Sequence, residues 1–147
     1  MFDLFADDAP WQEPLTEGAV ILRRRARESA GELMAQVEAI AACNPFEHRI
    51  TPGGHRMSVA MTNCGDLGWS TDSRGYQYSA QDEASGQRWP AMPPAFRELA
   101  VACAAEAGFS AFNPDACLIN RYEPGAKLTL HQDKDERDLR QPIVSVS

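Results

Sequence analysis

No apolar run in this chain approaches the length needed to cross a bilayer, and its 44% hydrophobic and 24% charged residues are ordinary for a soluble globular protein. The amino terminus, Met1-Phe2-Asp3-Leu4-Phe5-Ala6-Asp7-Asp8, lacks basic residues, and Pro10 and Pro14 come too soon for the apolar core of a secretory peptide. A cytoplasmic location is the expectation. Cys43, Cys64, Cys103 and Cys117 contain no Cys-x-x-Cys pair, so neither a zinc knuckle nor a dithiol redox motif is suggested, and free thiols are expected. Positive charge is short as well: a net charge of −7 argues against indiscriminate binding to nucleic acid. Any polyanion has to meet a local patch, either Arg23, Arg24, Arg25 and Arg27 or Arg49, His55 and Arg56. The first of these reads better as the solvated start of a helix. A length of 147 residues favours one domain.

Ala19-Val20-Ile21-Leu22 reads as a short buried strand after a Pro-interrupted leader, and Ser29-Ala30-Gly31-Glu32 as a capping box. Leu33, Val37, Ile40 and Ala41 then recur at helical spacing until Asn44-Pro45. Thr51-Pro52-Gly53-Gly54 is a turn, and Met57 to Thr62 alternate as a strand with Met57, Val59 and Met61 on one side. From Asn63 to Pro94 the chain is polar yet holds Trp69, Tyr76, Tyr78 and Trp89, which suggests a recognition surface more than a linker. Pro93-Pro94 opens a second helix that Gly108 stops. Ala116 to Tyr122 is a strand, Glu123-Pro124-Gly125-Ala126 a turn, and Lys127 to His131 the expected hairpin partner.

Chemistry concentrates at the far end of that hairpin. His131 and Asp133 stand two residues apart, so on a strand they project from one face and offer a nitrogen and an oxygen to the same divalent ion. This is two thirds of a 2-His-1-carboxylate triad, which leaves positions on iron(II) open for a cosubstrate and dioxygen. By itself such a pair is also what a solvated strand end looks like, and a motif of two residues carries a high false-positive risk. Leu118, Asn120 and Tyr122 share a face by the same period. The amide and phenol can hold the oxygens of a small acid, or satisfy backbone groups in a turn.

The run Asn120-Arg121-Tyr122-Glu123-Pro124-Gly125-Ala126-Lys127-Leu128-Thr129-Leu130-His131-Gln132-Asp133-Lys134-Asp135-Glu136 strongly resembles the AlkB family of iron(II)- and 2-oxoglutarate-dependent nucleic-acid demethylases. The likeness extends to Asp3-Leu4-Phe5, Thr51-Pro52-Gly53-Gly54, Met57 through Gly65 and Ala91-Met92-Pro93. It implies an α+β, mainly β fold: a double-stranded β-helix, or jelly roll, preceded by a nucleotide-recognition lid. The boundaries expected are a leader over about 1–15, the lid over about 45–92 and the first part of the jelly roll over about 115–147. His131 and Asp133 match iron ligands, Asn120 and Tyr122 match 2-oxoglutarate contacts, and Trp69, Tyr76, Asp135, Met61 and Thr51 match substrate contacts. Trp69 would pack on an extruded base, Tyr76 would touch a phosphate, Asp135 would face the base's exocyclic amino group, and Thr51 to Arg56 would lie along the nucleic-acid backbone.

The activity so implied is oxidative demethylation of N-alkylated bases in single- or double-stranded DNA, with RNA as a further substrate, using Fe(II), 2-oxoglutarate and dioxygen and releasing an aldehyde. The resemblance also implies a second histidine ligand and carboxylate-gripping arginines downstream of Asp133. His48 and His55 lie upstream and match neither place. The expectation is therefore the first two thirds of such a domain, monomeric when complete. Two other readings fit the residues: a non-catalytic nucleic-acid or protein-binding fragment, and an oxygenase of the same type acting on something other than nucleic acid.

Overall fold

The computed structural model describes residues 9–147, so the motif at Asp3-Leu4-Phe5 lies outside the described residues. β1 (Trp11–Thr16) and β2 (Ala19–Arg23) form an antiparallel pair. The strand expected at Ala19 to Leu22 is thus present, though half-buried instead of buried. Its partner was hidden by Pro14, which has no N–H to donate. A two-stranded ladder leaves an open edge where that loss is harmless, and the register shifts just beyond it.

α1 (Ala30–Cys43) starts after Ser29 and stops at Asn44, whose N–H closes on the Ile40 carbonyl at 2.8 Å. The expected capping box is not made. An N-cap hydroxyl reaches the first-turn N–H groups from extended backbone, whereas Ser29 has φ −91° and ψ −5° and makes no side-chain cap bond.

β3 (Ala60–Gly65) is the centre of the molecule, and all of its residues are buried. The alternation expected over Met57 to Thr62 does not hold, because the strand begins at Ala60 and α1, β4 and β6 pack around it. With both faces covered, a strand need not alternate. Val59 and Met61 lose essentially all contact with water, which contributes about 1.5–3 kcal/mol each. Thr62 secures β3 to the end of α1: its hydroxyl donates to the Asn44 carbonyl at 2.6 Å and accepts from Asn44 Nδ2 at 3.0 Å. At the other end Gly65 has φ 113°, and a Cβ there would lie 2.7 Å from the Asp115 carbonyl oxygen. Only glycine lets β3 pass so close to its neighbour.

β4 (Gly68–Asp72) and β5 (Gly75–Ser79) form the hairpin that carries Trp69, Tyr76 and Tyr78. Trp89, expected to share that aromatic surface, is instead 5% exposed, and its Nε1–H donates to the Ser79 carbonyl at 2.8 Å. It belongs to the core beneath the hairpin. α2 (Pro94–Glu106) opens at Pro93-Pro94 and ends before Gly108, with the Phe109 N–H bonded to the Ala104 carbonyl at 2.8 Å.

β6 (Ala116–Arg121) pairs antiparallel with β3, from Ala60 opposite Arg121 to Gly65 opposite Ala116. The turn at Glu123 forms, with the Ala126 N–H on the Glu123 carbonyl at 2.9 Å. The expected hairpin does not: β6 gives its ladder to β3, and residues 127–131 run without regular structure. Residues 142–147, whose alternation also suggests a strand, pair with no neighbour. No helix among the described residues is long and apolar enough to cross a membrane.

Candidate metal and cosubstrate site

The segment after β6 is shaped by backbone capture. The Ser58 hydroxyl accepts from the Lys127 N–H at 3.0 Å and donates to the Lys127 carbonyl at 2.9 Å, so one side chain acts as a single rung of sheet. Beyond it, His131 Nδ1 lies 2.7 Å from the Thr129 carbonyl. A carbonyl only accepts, so Nδ1 carries the proton and a neutral ring presents a bare lone pair at Nε2. That nitrogen lies 3.3 Å from Asp133 Oδ1. The pair therefore converges as the sequence predicts, but for a different reason: a loop held by its own carbonyl, not the period of a strand.

Two acceptors facing each other at this distance are stabilised by a cation between them or by a proton on the ring. Neighbouring ligands about 2 Å from a metal and at right angles to each other stand about 3 Å apart, so the donor pair suits a transition-metal ion. Fixing the far ring nitrogen on a backbone carbonyl is also how metal-binding histidines are oriented. Among the described residues no group of three or more His, Cys, Asp or Glu side chains is placed to hold a metal. The fit is that of two ligands.

Asn120 and Tyr122 come together at the end of β6, with Asn120 Nδ2 3.5 Å from the Tyr122 hydroxyl. The other amide atom of Asn120 is buried without a partner, while Tyr122 is 55% exposed and keeps its own proton to donate. Asn120 Nδ2 has a second N–H and Tyr122 a hydroxyl proton, two donors that suit the carboxylate of a small acid, whereas the orphaned Oδ1 can only accept.

The β4–β5 hairpin leans on the acidic run that follows His131. Trp69 Nε1–H donates to Asp135 Oδ2 at 3.2 Å, and the Tyr78 hydroxyl donates to Glu136 Oε1 at 3.0 Å. Burial first, then the Glu136 bond and the charges of Glu136, Asp133 and Asp135, pushes the Tyr78 phenol well above its ordinary range. Trp69 and Tyr76 stack with ring centroids 5.6 Å apart and planes 18° from parallel. Behind them Asn63, fully buried on β3, holds Trp69 by its backbone: Oδ1 accepts the Trp69 N–H and Nδ2 donates to the Trp69 carbonyl, both at 2.9 Å.

Of the remaining expected contacts, Thr51 sits in its turn, where its hydroxyl accepts the His55 N–H at 3.2 Å. Met61 is 1% exposed inside β3, so its side chain has no open surface through which to touch a substrate. The first arginine cluster is largely matched by acids, Arg23 by Glu13 and Arg25 by Glu106, in keeping with a structural role. In the second, Arg49 lies over the Trp89 ring, while His55 and Arg56 are exposed. Sequence reasoning gave no role to Ser58, Asn63 or Glu136, and placed Tyr78 only among the aromatics of a recognition surface. Tyr78 was within reach, because on a strand it shares a face with Tyr76; the others depend on contacts between distant segments.

A paired imidazole and carboxylate, with an amide and a phenol brought together at the end of β6, are donor types that suit a non-haem oxygenase. The chain belongs to the 2OG-Fe(II) oxygenase superfamily, whose family model matches residues 18–147. Iron(II), 2-oxoglutarate and dioxygen are accordingly its cofactor and cosubstrates. It is similar over its whole length to the alpha-ketoglutarate-dependent dioxygenase AlkB of Escherichia coli, with 60% identity over 147 residues, covering 68% of that protein. The alpha-ketoglutarate-dependent dioxygenase AlkB of Salmonella typhimurium is 58% identical over 147 residues, again with 68% of its length covered. A more distant relative is the tRNA demethylase abh1 of Schizosaccharomyces pombe, 27% identical over 82 residues, which are 55% of this chain and 27% of that one.

Proposed function

We propose that the protein removes alkyl groups oxidatively from the ring nitrogens of nucleic-acid bases, in DNA and also in RNA. The observation that carries this reading is the tether between Trp69 and Asp135, which sets an aromatic stack against the segment that holds His131 and Asp133. His131 and Asp133 hold the metal, and Asn120 with Tyr122 receive the carboxylate or carbonyl oxygens of 2-oxoglutarate. When bound, ferrous iron with 2-oxoglutarate and dioxygen supplies the oxidising power to hydroxylate a C–H bond.

The other residues present the base. A base must leave the duplex stack to reach the site, and stacking on Trp69 returns about 1–3 kcal/mol, while Tyr76, stacked against that indole, touches a phosphate. Asp135, fixed by the indole N–H, faces the positive charge of an N-alkylated ring. The exposed Arg56, beside the Thr51 turn, supplies local positive charge that a net charge of −7 otherwise denies a polyanion, with the exposed His55 next to it as a hydrogen-bonding ring. After hydroxylation the hydroxymethyl group leaves as formaldehyde, the N–C bond breaking as the hydroxyl proton departs, and the base is restored.

In this reading the recognition lid lies within residues 45–92, to either side of β3, and the β3–β6 ladder belongs to a double-stranded β-helix. Leu130, Leu139 and Ile143 are exposed in the described residues and are side chains of the kind such a fold covers with further strands. A cytoplasmic location, and a monomeric state for the complete domain, belong to this same reading.

The test supplies Fe(II), 2-oxoglutarate and an N1-methyladenine oligonucleotide and measures formaldehyde. Release that falls to background in His131→Ala, with Trp69→Ala weakening oligonucleotide binding by roughly fivefold to a hundredfold, supports the reading. Formaldehyde no higher than in His131→Ala, or turnover and binding unchanged in Trp69→Ala, counts against it.

A further inference from the structure

Cys64 on β3 and Cys117 on β6 stand directly opposite each other in the antiparallel ladder. Opposed residues in such a ladder have Cα atoms about 4.5–5.5 Å apart and side chains on one face, which lies within the range a disulfide spans without backbone movement. Both cysteines are free, and their side chains lie on the same face of the ladder. The two are not equivalent. Cys64 is 0% exposed, whereas Cys117 is only half-buried, so an oxidant arriving from solvent meets Cys117 first.

We propose that Cys64 and Cys117 form a two-electron redox site, a dithiol that a hydroperoxide converts reversibly to a disulfide bridging β3 and β6. The Cys117 sulfur attacks the peroxide, the O–O bond breaks, and a sulfenic acid forms at Cys117 with loss of one water. The Cys64 sulfur then displaces the hydroxyl from that sulfenic acid, its proton leaving with the hydroxyl as a second water. In sum, two thiols and one hydrogen peroxide give one disulfide and two waters. The proximity of the two thiols holds the pKa of Cys117 below its ordinary value and, together with burial, pushes that of Cys64 up, which favours Cys117 as the attacking sulfur.

The bridge lies three positions before Asn120 on the same strand, so it fixes the β3–β6 register that delivers Asn120 and Tyr122. Oxidation would stiffen this side of the site and leave its side chains in place. Cys43, exposed and on a helix, and Cys103, on the other helix, have no such partner across a ladder.

The experiment treats the folded, fully reduced protein with hydrogen peroxide, blocks remaining thiols, and maps peptides by mass without reduction. A Cys43→Ser/Cys103→Ser variant gives the same measurement on the pair alone. The expected product is a monomeric chain in which the Cys64 and Cys117 peptides are joined with loss of two hydrogens. Its thermal midpoint is raised, and both changes are reversed by dithiothreitol. Cys64→Ser should instead carry Cys117 on to the sulfinic acid. If peroxide that oxidises Cys43 leaves the pair as thiols, if Cys117 is over-oxidised while Cys64 remains present, or if the bridges join different chains, the proposal is overturned. These outcomes do not depend on metal or on demethylase activity, so they stand apart from the proposed function.

Discussion

Replacing Asn63 by aspartate should make the protein's stability depend on pH in a way the natural chain's does not. Asn63 is 0% exposed, and its two bonds to the Trp69 backbone, both 2.9 Å, fix which atom is which: the N–H must meet an oxygen and the carbonyl must meet an NH₂. In Asn63→Asp the Trp69 N–H keeps its acceptor, but a carboxylate oxygen now faces the Trp69 carbonyl. A proton on that oxygen restores the missing donor, so burial and repulsion both raise the pKa of the introduced carboxyl in the folded state. An upward shift of about three units from the usual value near 3.9 corresponds to about 4 kcal/mol.

The sign follows from linkage. Below about pH 4 the carboxyl is protonated folded and unfolded, and the variant approaches the natural protein; as pH rises, the unfolded chain releases the proton first and stability falls until the folded pKa is passed. Urea unfolding at pH 4 and pH 7, each read as the difference from the natural protein, should show a small loss at the lower pH. At the higher pH the midpoint should fall by about 2 M if the slope is about 2 kcal/mol per molar. A loss that is equal at the two pH values, or below about 1 kcal/mol at neutral pH, would refute the claim that this amide holds Trp69 from inside the core.

Two further outcomes test the supports of the site. In Gly68→Ala the new Cβ would lie 2.2 Å from Trp89 Cε2 and 2.4 Å from its Nε1, so the indole must shift off the Ser79 carbonyl, and urea unfolding should show a loss of about 1–3 kcal/mol; no measurable loss would mean that the ring moves aside freely. Glu106, held first by Arg25 and then by Gln12, has its pKa lowered from 4.5 to about 2, so its contribution is present above about 4.5 and fades as pH falls toward 2. Glu106→Gln should therefore differ from the natural protein in thermal midpoint at pH 6 and converge with it in acid, whereas a constant offset would show that the ion pair is not the cause.

Parts of the architecture were legible because local chemistry decides them. Asn44-Pro45 and Pro93-Pro94 bound the helices where the backbone requires, and the turn at Glu123 needs no help from elsewhere. The errors over Met57 to Thr62 and Lys127 to His131 share one cause. Met57 to Thr62 looks half-buried because its apolar residues alternate, but burial on both faces of β3 removes the reason for alternation. Lys127 to His131 looks like a hairpin partner because it follows a turn, but β3 had already claimed β6.

The sequence by itself determined the helix limits, the turns, and the residue types of the site: an imidazole and an acid two positions apart, with an amide and a phenol on the preceding strand. Local backbone preference and family likeness reach that far. Only the tertiary structure decided what each strand pairs with, that Trp89 fills the core while Trp69 faces the acids, and that Asn63, Ser58 and Glu136 hold the site from a distance. Those outcomes depend on which buried surfaces meet between segments far apart in the chain. A pattern read along one segment cannot contain its neighbour.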